Sequence, residues 1–192
     1  MKNIPFFNYP ALFDQRKDEY LSVVQDVLSR GAYIMQKDLI DFEKDLAKYL
    51  GVKHAIGVAD GTMALLTSLM ASGIGRGDEV IVPSHTFIAS VAAIHHTGAK
   101  PILADCQADH LINPNSIVKL ITSKTKAIMP VQLNGRVANM DAISKIATEY
   151  NLIIIEDSCQ ALGSKYKGIR AGKFGAGSIH SFHRTKTIAT GE

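Results

Sequence analysis

From residue 54 onward, short apolar runs alternate with longer stretches whose apolar residues recur every three or four positions. The runs lie at 54–59, 79–83, 101–104, 127–131, 152–156 and 178–182, each about the length of one strand. Stretches with helical spacing, at 62–72, 87–97, 114–121 and 140–150, join most of them. Strands that are apolar on both faces need cover on both sides, and crossover helices supply it. The pattern therefore predicts an α/β fold, a mostly parallel sheet with helices on both faces. Upstream, 14–30 reads as a charged, periodic helix ending at Gly31. A second helix places Leu39, Phe42, Leu46 and Leu50 on one face and stops at Gly51. Both fit amphipathic helices lying against a larger body. The segment 163–177 carries glycines and the basic residues Lys165, Lys167, Arg170 and Lys173, and reads as a loop with a short hairpin.

Ligands of such sheets sit beyond the carboxyl ends of the strands. The polar residues there are 60–62, 84–87, Gln132 with Asn134, 157–160 and 181–186. Asp60, Gly61 and Thr62 end one run and open a helix. A glycine lets the backbone approach a ligand, the free N–H groups of a first helical turn attract a phosphate, and the Thr62 hydroxyl can add a hydrogen bond. The plainer reading is a helix cap by Asp60 or Thr62. Asp157 follows an apolar strand, where a carboxylate is costly unless a cation or several donors meet it. The protonated pyridine nitrogen of pyridoxal 5'-phosphate (PLP) would be such a cation. A cap or a metal is the alternative, although Glu156, the neighbouring carboxylate, should point to the opposite face of the strand.

Lys186 lies past the last run among small and polar side chains. A lone lysine is as a rule a solvated surface group. Its meaning changes because Ser181 lies just upstream and Asp157 and Gln160 follow the preceding strand. Together they offer an amine for a Schiff base, a carboxylate, an amide and a hydroxyl, the groups needed to hold PLP. Phe87, at a helix start, is either core or an aromatic lying flat on a ring. His183 neighbours the lysine; His85, His95 and His96 have no partner that spacing can assign.

The chain has 192 residues, 46% of them hydrophobic, enough for one well-buried domain. Its 21 Lys and Arg against 18 Asp and Glu leave a formal charge of +3, scattered along the chain, which argues against nucleic-acid binding. No apolar run is long enough to cross a bilayer, and Met1, Lys2 and Asn3 do not open a signal peptide. Cys106 and Cys159 match neither a zinc site nor a redox CxxC, and read as reduced thiols of a cytoplasmic protein.

The blocks Asp60-Gly-Thr-Met-Ala-Leu65, Gly77-Asp-Glu-Val-Ile-Val-Pro83, Thr86-Phe87, Glu156-Asp-Ser-Cys-Gln-Ala-Leu-Gly163 and Ser181-Phe-His-Arg-Thr-Lys-Thr-Ile-Ala-Thr-Gly-Glu192, in this order, resemble the DegT/DnrJ/EryC1/StrS family of PLP-dependent sugar aminotransferases. The resemblance implies the large domain of PLP-dependent transferase fold type I, the aspartate aminotransferase-like class. It implies Lys186 as the Schiff-base lysine, Asp157 at the pyridine nitrogen and Gln160 at the ring hydroxyl. Gly61, Thr62 and Ser181 would hold the phosphate, and Phe87 would stack on the ring. The implied reaction is ping-pong transfer of an amino group, commonly from L-glutamate, to a nucleotide-linked keto-sugar, in a homodimer whose partner chain reaches the phosphate. Two departures stand out. Asp60 occupies a position where many relatives carry Ser or Asn, and Gln132 and Asn134 stand where relatives often show His and Tyr. Relatives are also about twice as long. The expected division is an N-terminal arm and helix at 1–30 and an incomplete PLP-binding large domain at 31–192, with a C-terminal small domain outside the sequence.

Three other readings compete with the aminotransferase. A PLP-dependent sugar dehydratase on the same scaffold would carry histidine at the lysine position, which Lys186 argues against. A nicotinamide-dependent oxidoreductase would need a glycine fingerprint after a strand, whereas Gly73, Gly75 and Gly77 follow a helix. A catalytically incomplete fragment of the family is the last.

Overall fold

The computed structural model describes residue 5 and residues 8–189. Met1, Lys2, Asn3, Thr190, Gly191 and Glu192, named in the sequence analysis, lie outside the described residues. The chain divides between Leu46 and Ala47 into two compact units. In the first, the helix expected at 14–30 is two helices, α1 (Tyr9–Gln15) and α2 (Lys17–Ser29), separated at Arg16. Arg16 leaves helical geometry at φ −135°, and its guanidinium pairs with Glu19 in the first turn of α2 at 2.7 Å. Neither helix buries a residue; Leu21, Val24 and Leu28 are each about half exposed. Helix α3 (Lys37–Leu50) ends as expected at Gly51, whose φ of +71° lets its N–H and that of Val52 both reach the Ala47 carbonyl.

The second unit is built on a five-stranded sheet in the order β2–β1–β3–β4–β7. These strands are β1 (Glu79–Pro83), β2 (Lys100–Ala104), β3 (Thr125–Ile128), β4 (Ile153–Asp157) and β7 (Gly177–Ile179), and every pair is parallel. Helices α4 (Gly61–Ala71), α5 (Ile88–His96), α6 (Pro114–Leu120) and α7 (Met140–Glu149) match the predicted helical stretches to within a residue or two. Side chains alternate across each strand, so two cores form. Val80, Val82 and Ile155 face Leu65 and Leu69 of α4 and Ala93 and Ile94 of α5. Ile81, Ile128 and Ile154 face Ile117 of α6 and Ile143 of α7 on the other side. Burying each of the Val, Leu and Ile side chains contributes about 1.5–3 kcal/mol.

Three differences from the pattern have local causes. The run at 54–59 is not a strand: it has no ladder partner among the described residues, and Ile56 is 80% exposed. Strand β3 stops at Ile128 instead of 131 because Pro130 has no N–H for the ladder; Val131 retains only an isolated bridge to Asp157. Strand β7 stops at Ile179 instead of 182 because its neighbour β4 ends at Asp157, the last register pair. The loop at 163–177 does contain the hairpin, β5 (Lys165–Tyr166) against β6 (Ile169–Arg170). The sheet reverses its order at β1, with β2 on one side and β3 on the other, and a ligand crevice opens at such a point.

Candidate active site

Asp157 is the last residue of β4 and is 5% exposed. Its backbone is held from both directions: its N–H donates to the Pro130 carbonyl, and its carbonyl accepts from Gln132 N, each at 2.9 Å. One carboxylate oxygen accepts from the Ser90 hydroxyl at 2.8 Å, and the other from the Cys159 N–H at 3.2 Å. Ser90 is in turn bonded to the Thr86 hydroxyl at 2.8 Å. Among the described residues no salt bridge reaches Asp157. Glu156 points the other way, as alternation requires. It is fully buried and accepts from Gln132 Nε2, Ser158 Oγ and the N–H groups of Gly172 and Phe174. Gln132 also accepts from Ala138 N at 2.7 Å, so this amide is spent inside the fold and is no ligand contact.

Helix α4 starts beside Asp157's strand. Asp60 is its N-cap, accepting from Met63 N at 2.9 Å, which is the plainer of the two roles available to it. Thr62 is exposed in the first turn. At Gly61 a Cβ would stand 3.3 Å from both Cys159 Sγ and Ser181 Cβ. The helix N-terminus, Ser181 and the residues after β4 therefore converge. Cys159 lies at the hub of this group. Burial first, then the Asp157 carboxylate, push its thiol well above the usual range, and Lys186 acts in the opposite direction. Cys106 and Cys159 are both free and half-buried.

Lys186 is half-buried, and its N–H donates to the His183 carbonyl at 2.8 Å. Together with Asn134, Gln160, Thr185 and Thr187 it lines a cavity of about 330 Å³. Across the cavity Asn134 adopts a left-handed conformation (φ 53°, ψ 33°), and its N–H donates to Gln160 Oε1 at 2.9 Å. Phe87 is the N-cap of α5 and is 65% exposed, so it is not a core aromatic. His183 is exposed and bonded through Nδ1 to Thr185 at 3.0 Å. His85 packs edge-on against His110. His180 was not singled out by the sequence, yet both its ring nitrogens are buried without a hydrogen-bond partner among the described residues, and burial lowers its pKa to about 4. Among the described residues no cluster of His, Cys, Asp and Glu could hold a metal.

A profile of the DegT/DnrJ/EryC1/StrS aminotransferase family matches residues 14–192. The chain belongs to this family. It is 39% identical over 186 residues to the dTDP-3-amino-3,4,6-trideoxy-alpha-D-glucose transaminase of Streptomyces venezuelae, covering 96% of this chain and 49% of that protein. It is 44% identical to the GDP-perosamine synthase of Escherichia coli O157:H7, covering 100% of this chain and 52% of that one. Among solved structures, NtdA from Bacillus subtilis with bound cofactor PMP superposes with a TM-score of 0.90 at 33% identity, over 98% of this chain and 43% of that one. The chain thus spans about half the length of the curated relatives it matches. Its fold is that of the PLP-dependent transferases of fold type I. No helix among the described residues is long and apolar enough to cross a membrane.

Proposed function

We propose that the protein is a PLP-dependent aminotransferase that moves an amino group from an amino acid, commonly L-glutamate, to a nucleotide-linked keto-sugar, as a cytoplasmic homodimer. The observation that carries the reading is Asp157, a carboxylate nine-tenths buried at a strand end, met by a hydroxyl and an N–H but, among the described residues, by no salt bridge, while Gln160, three residues on, lines a cavity with Lys186. The residues present fit the cofactor. A carboxylate so buried calls for a positive partner, which a protonated pyridine nitrogen provides. Gly61 leaves the start of α4 open beside Ser181, and a helix N-terminus with an adjacent hydroxyl suits a phosphate. PLP, when bound, supplies an aldehyde for an amine and a ring that accepts the electrons of a broken Cα–H bond.

The roles of the chain's own residues follow. Asp157 would meet the protonated ring nitrogen, and Ser90 and the Cys159 N–H fix the carboxylate's orientation. Lys186 would supply the amine that holds the cofactor's aldehyde and the group that moves a proton. Gly61, Thr62 and Ser181 would hold the phosphate, Gln160 would meet the ring oxygen, and Phe87, exposed at the start of α5, would cover a ring face. The names of the relatives point to dTDP- and GDP-linked sugars and favour an amino-sugar product.

The test is borohydride reduction of the full-length protein with PLP, followed by peptide mass spectrometry. Phosphopyridoxyl mass on the Lys186 peptide is expected. In a second arm, glutamate and a panel of nucleotide-linked 3-keto and 4-keto hexoses should yield an aminated sugar. A Lys186→Ala variant that still transaminates would overturn the assignment.

A further inference from the structure

The turn at 133–135 faces the lysine across the cavity, and its geometry decides which end of an amide the cavity meets. Asn134 sits at φ 53°, ψ 33° and Gly135 at φ 76°, two successive left-handed residues. Asn and Gly are the residues that adopt this conformation most cheaply. The turn is anchored on its far side by the Ser164 hydroxyl, which donates to the Gly135 carbonyl at 2.7 Å. So anchored, it presents the Asn134 N–H to Gln160 Oε1 at 2.9 Å.

A backbone N–H can only donate. The atom of Gln160 that meets it must be the carbonyl oxygen, and the NH2 group must turn the other way. Gln160 lines the cavity shared with Lys186. We infer that Asn134 is a positioning residue: its left-handed N–H engages the Gln160 carbonyl oxygen and so turns the NH2 end of the carboxamide, a hydrogen-bond donor, towards the cavity. The inference rests on the proposed PLP chemistry for its ligand. The ring atom that meets Gln160 is then an acceptor, the ring oxygen in its deprotonated form. A donor aimed at an anionic oxygen favours the ionised state.

The variants separate the two ends of the amide. Gln160→Glu can still accept from the Asn134 N–H but offers the ring oxygen a second anion. Gln160→Met offers neither. Asn134→Gly keeps the turn and the N–H, whereas Asn134→Val disfavours the left-handed geometry. Two readouts apply to the full-length protein. The first is hydrogen exchange of the Asn134 amide without PLP. Protection is expected in the wild type and in Gln160→Glu, and its loss in Gln160→Met. The second is PLP affinity, together with the share of bound cofactor in its visible-absorbing, ring-oxygen-deprotonated form. Both should fall about tenfold in Gln160→Glu and Gln160→Met, less in Asn134→Val, and stay near wild type in Asn134→Gly.

Gln160→Glu binding PLP as tightly as the wild type, with the same spectrum, would overturn the inference. So would an Asn134 amide that exchanges equally fast in the wild type and Gln160→Met. A wild-type protein that takes up no PLP would overturn the proposed function instead; the exchange result would then still judge the Asn134–Gln160 lock by itself.

Discussion

At the scale of single residues, the site depends on how one buried carboxylate is supplied with donors. Ser90 gives Asp157 a hydroxyl hydrogen bond from α5, across 67 positions of sequence. Ser90→Ala should lower the unfolding free energy by about 1–3 kcal/mol, since it leaves a buried carboxylate oxygen short of a partner. With PLP bound the loss should shrink, because the pyridine N–H becomes another donor to the same carboxylate. Denaturant titrations with and without PLP measure both values; an equal loss in each would detach Asp157 from the ring nitrogen. Asp157 and Glu156 were legible in the sequence because strand alternation alone separates a front from a back carboxylate. Ser90 was not. In the stretch Ile88-Ala-Ser-Val-Ala-Ala-Ile94 it looks like one small residue among others, and only packing shows that it faces Asp157. The place of Cys159 is hidden from the sequence for the same reason: its sulfur approaches Gly61, which belongs to another element.

Between elements, each helix and strand of the second unit was legible where its pattern is self-contained, and the errors fall where an end depends on a neighbour. Pro130 cutting β3 short could have been read from the sequence. The loss of a strand at 54–59 could not, since pairing is a property of two segments. The start of α4 shows the same dependence. Asp60 caps the helix through Met63 N, yet its charge stands at the end proposed to receive a phosphate. Asp60→Ala should destabilise the protein by about 1 kcal/mol through the lost cap. Asp60→Asn keeps a capping oxygen and removes the charge. It should leave the melting temperature nearly unchanged and tighten PLP binding severalfold at low ionic strength, with the gain fading in high salt. Isothermal titration at two salt concentrations checks this. Equal affinity for Asp60 and Asn at both would place the carboxylate outside the phosphate's field.

For the molecule as a whole, the consequence that reaches furthest is the dependence of stability on pH, and it turns on His180. This ring follows β7, with both nitrogens buried and unpartnered. It packs so closely against Gly172 that a Cβ there would lie 2.6 Å from its Nε2. Burial holds its folded pKa down to about 4, with the Asp157 carboxylate opposing, while the unfolded chain keeps the ordinary value of about 6.5. Between these two values the unfolded state binds the proton and the folded state does not. Stability is therefore full above about pH 6.5 and is lost as the pH falls towards 4, by an upper bound of about 3 kcal/mol. The exposed pairs Arg30–Asp38 and Lys167–Asp141 act in a different window. Their hydrogen-bonded cations hold the two carboxyls below the ordinary Asp value, so what they contribute disappears only at more acid pH. His180→Phe separates the two effects. It keeps a flat ring, removes the orphaned nitrogens, and should raise stability at neutral pH by about 1–3 kcal/mol. Urea unfolding of wild type and variant, followed from pH 7 to pH 4.5, should show a falling wild-type curve and a nearly flat variant. Parallel curves would mean that His180 finds a partner in solution, and that the acid sensitivity of this fold lies elsewhere.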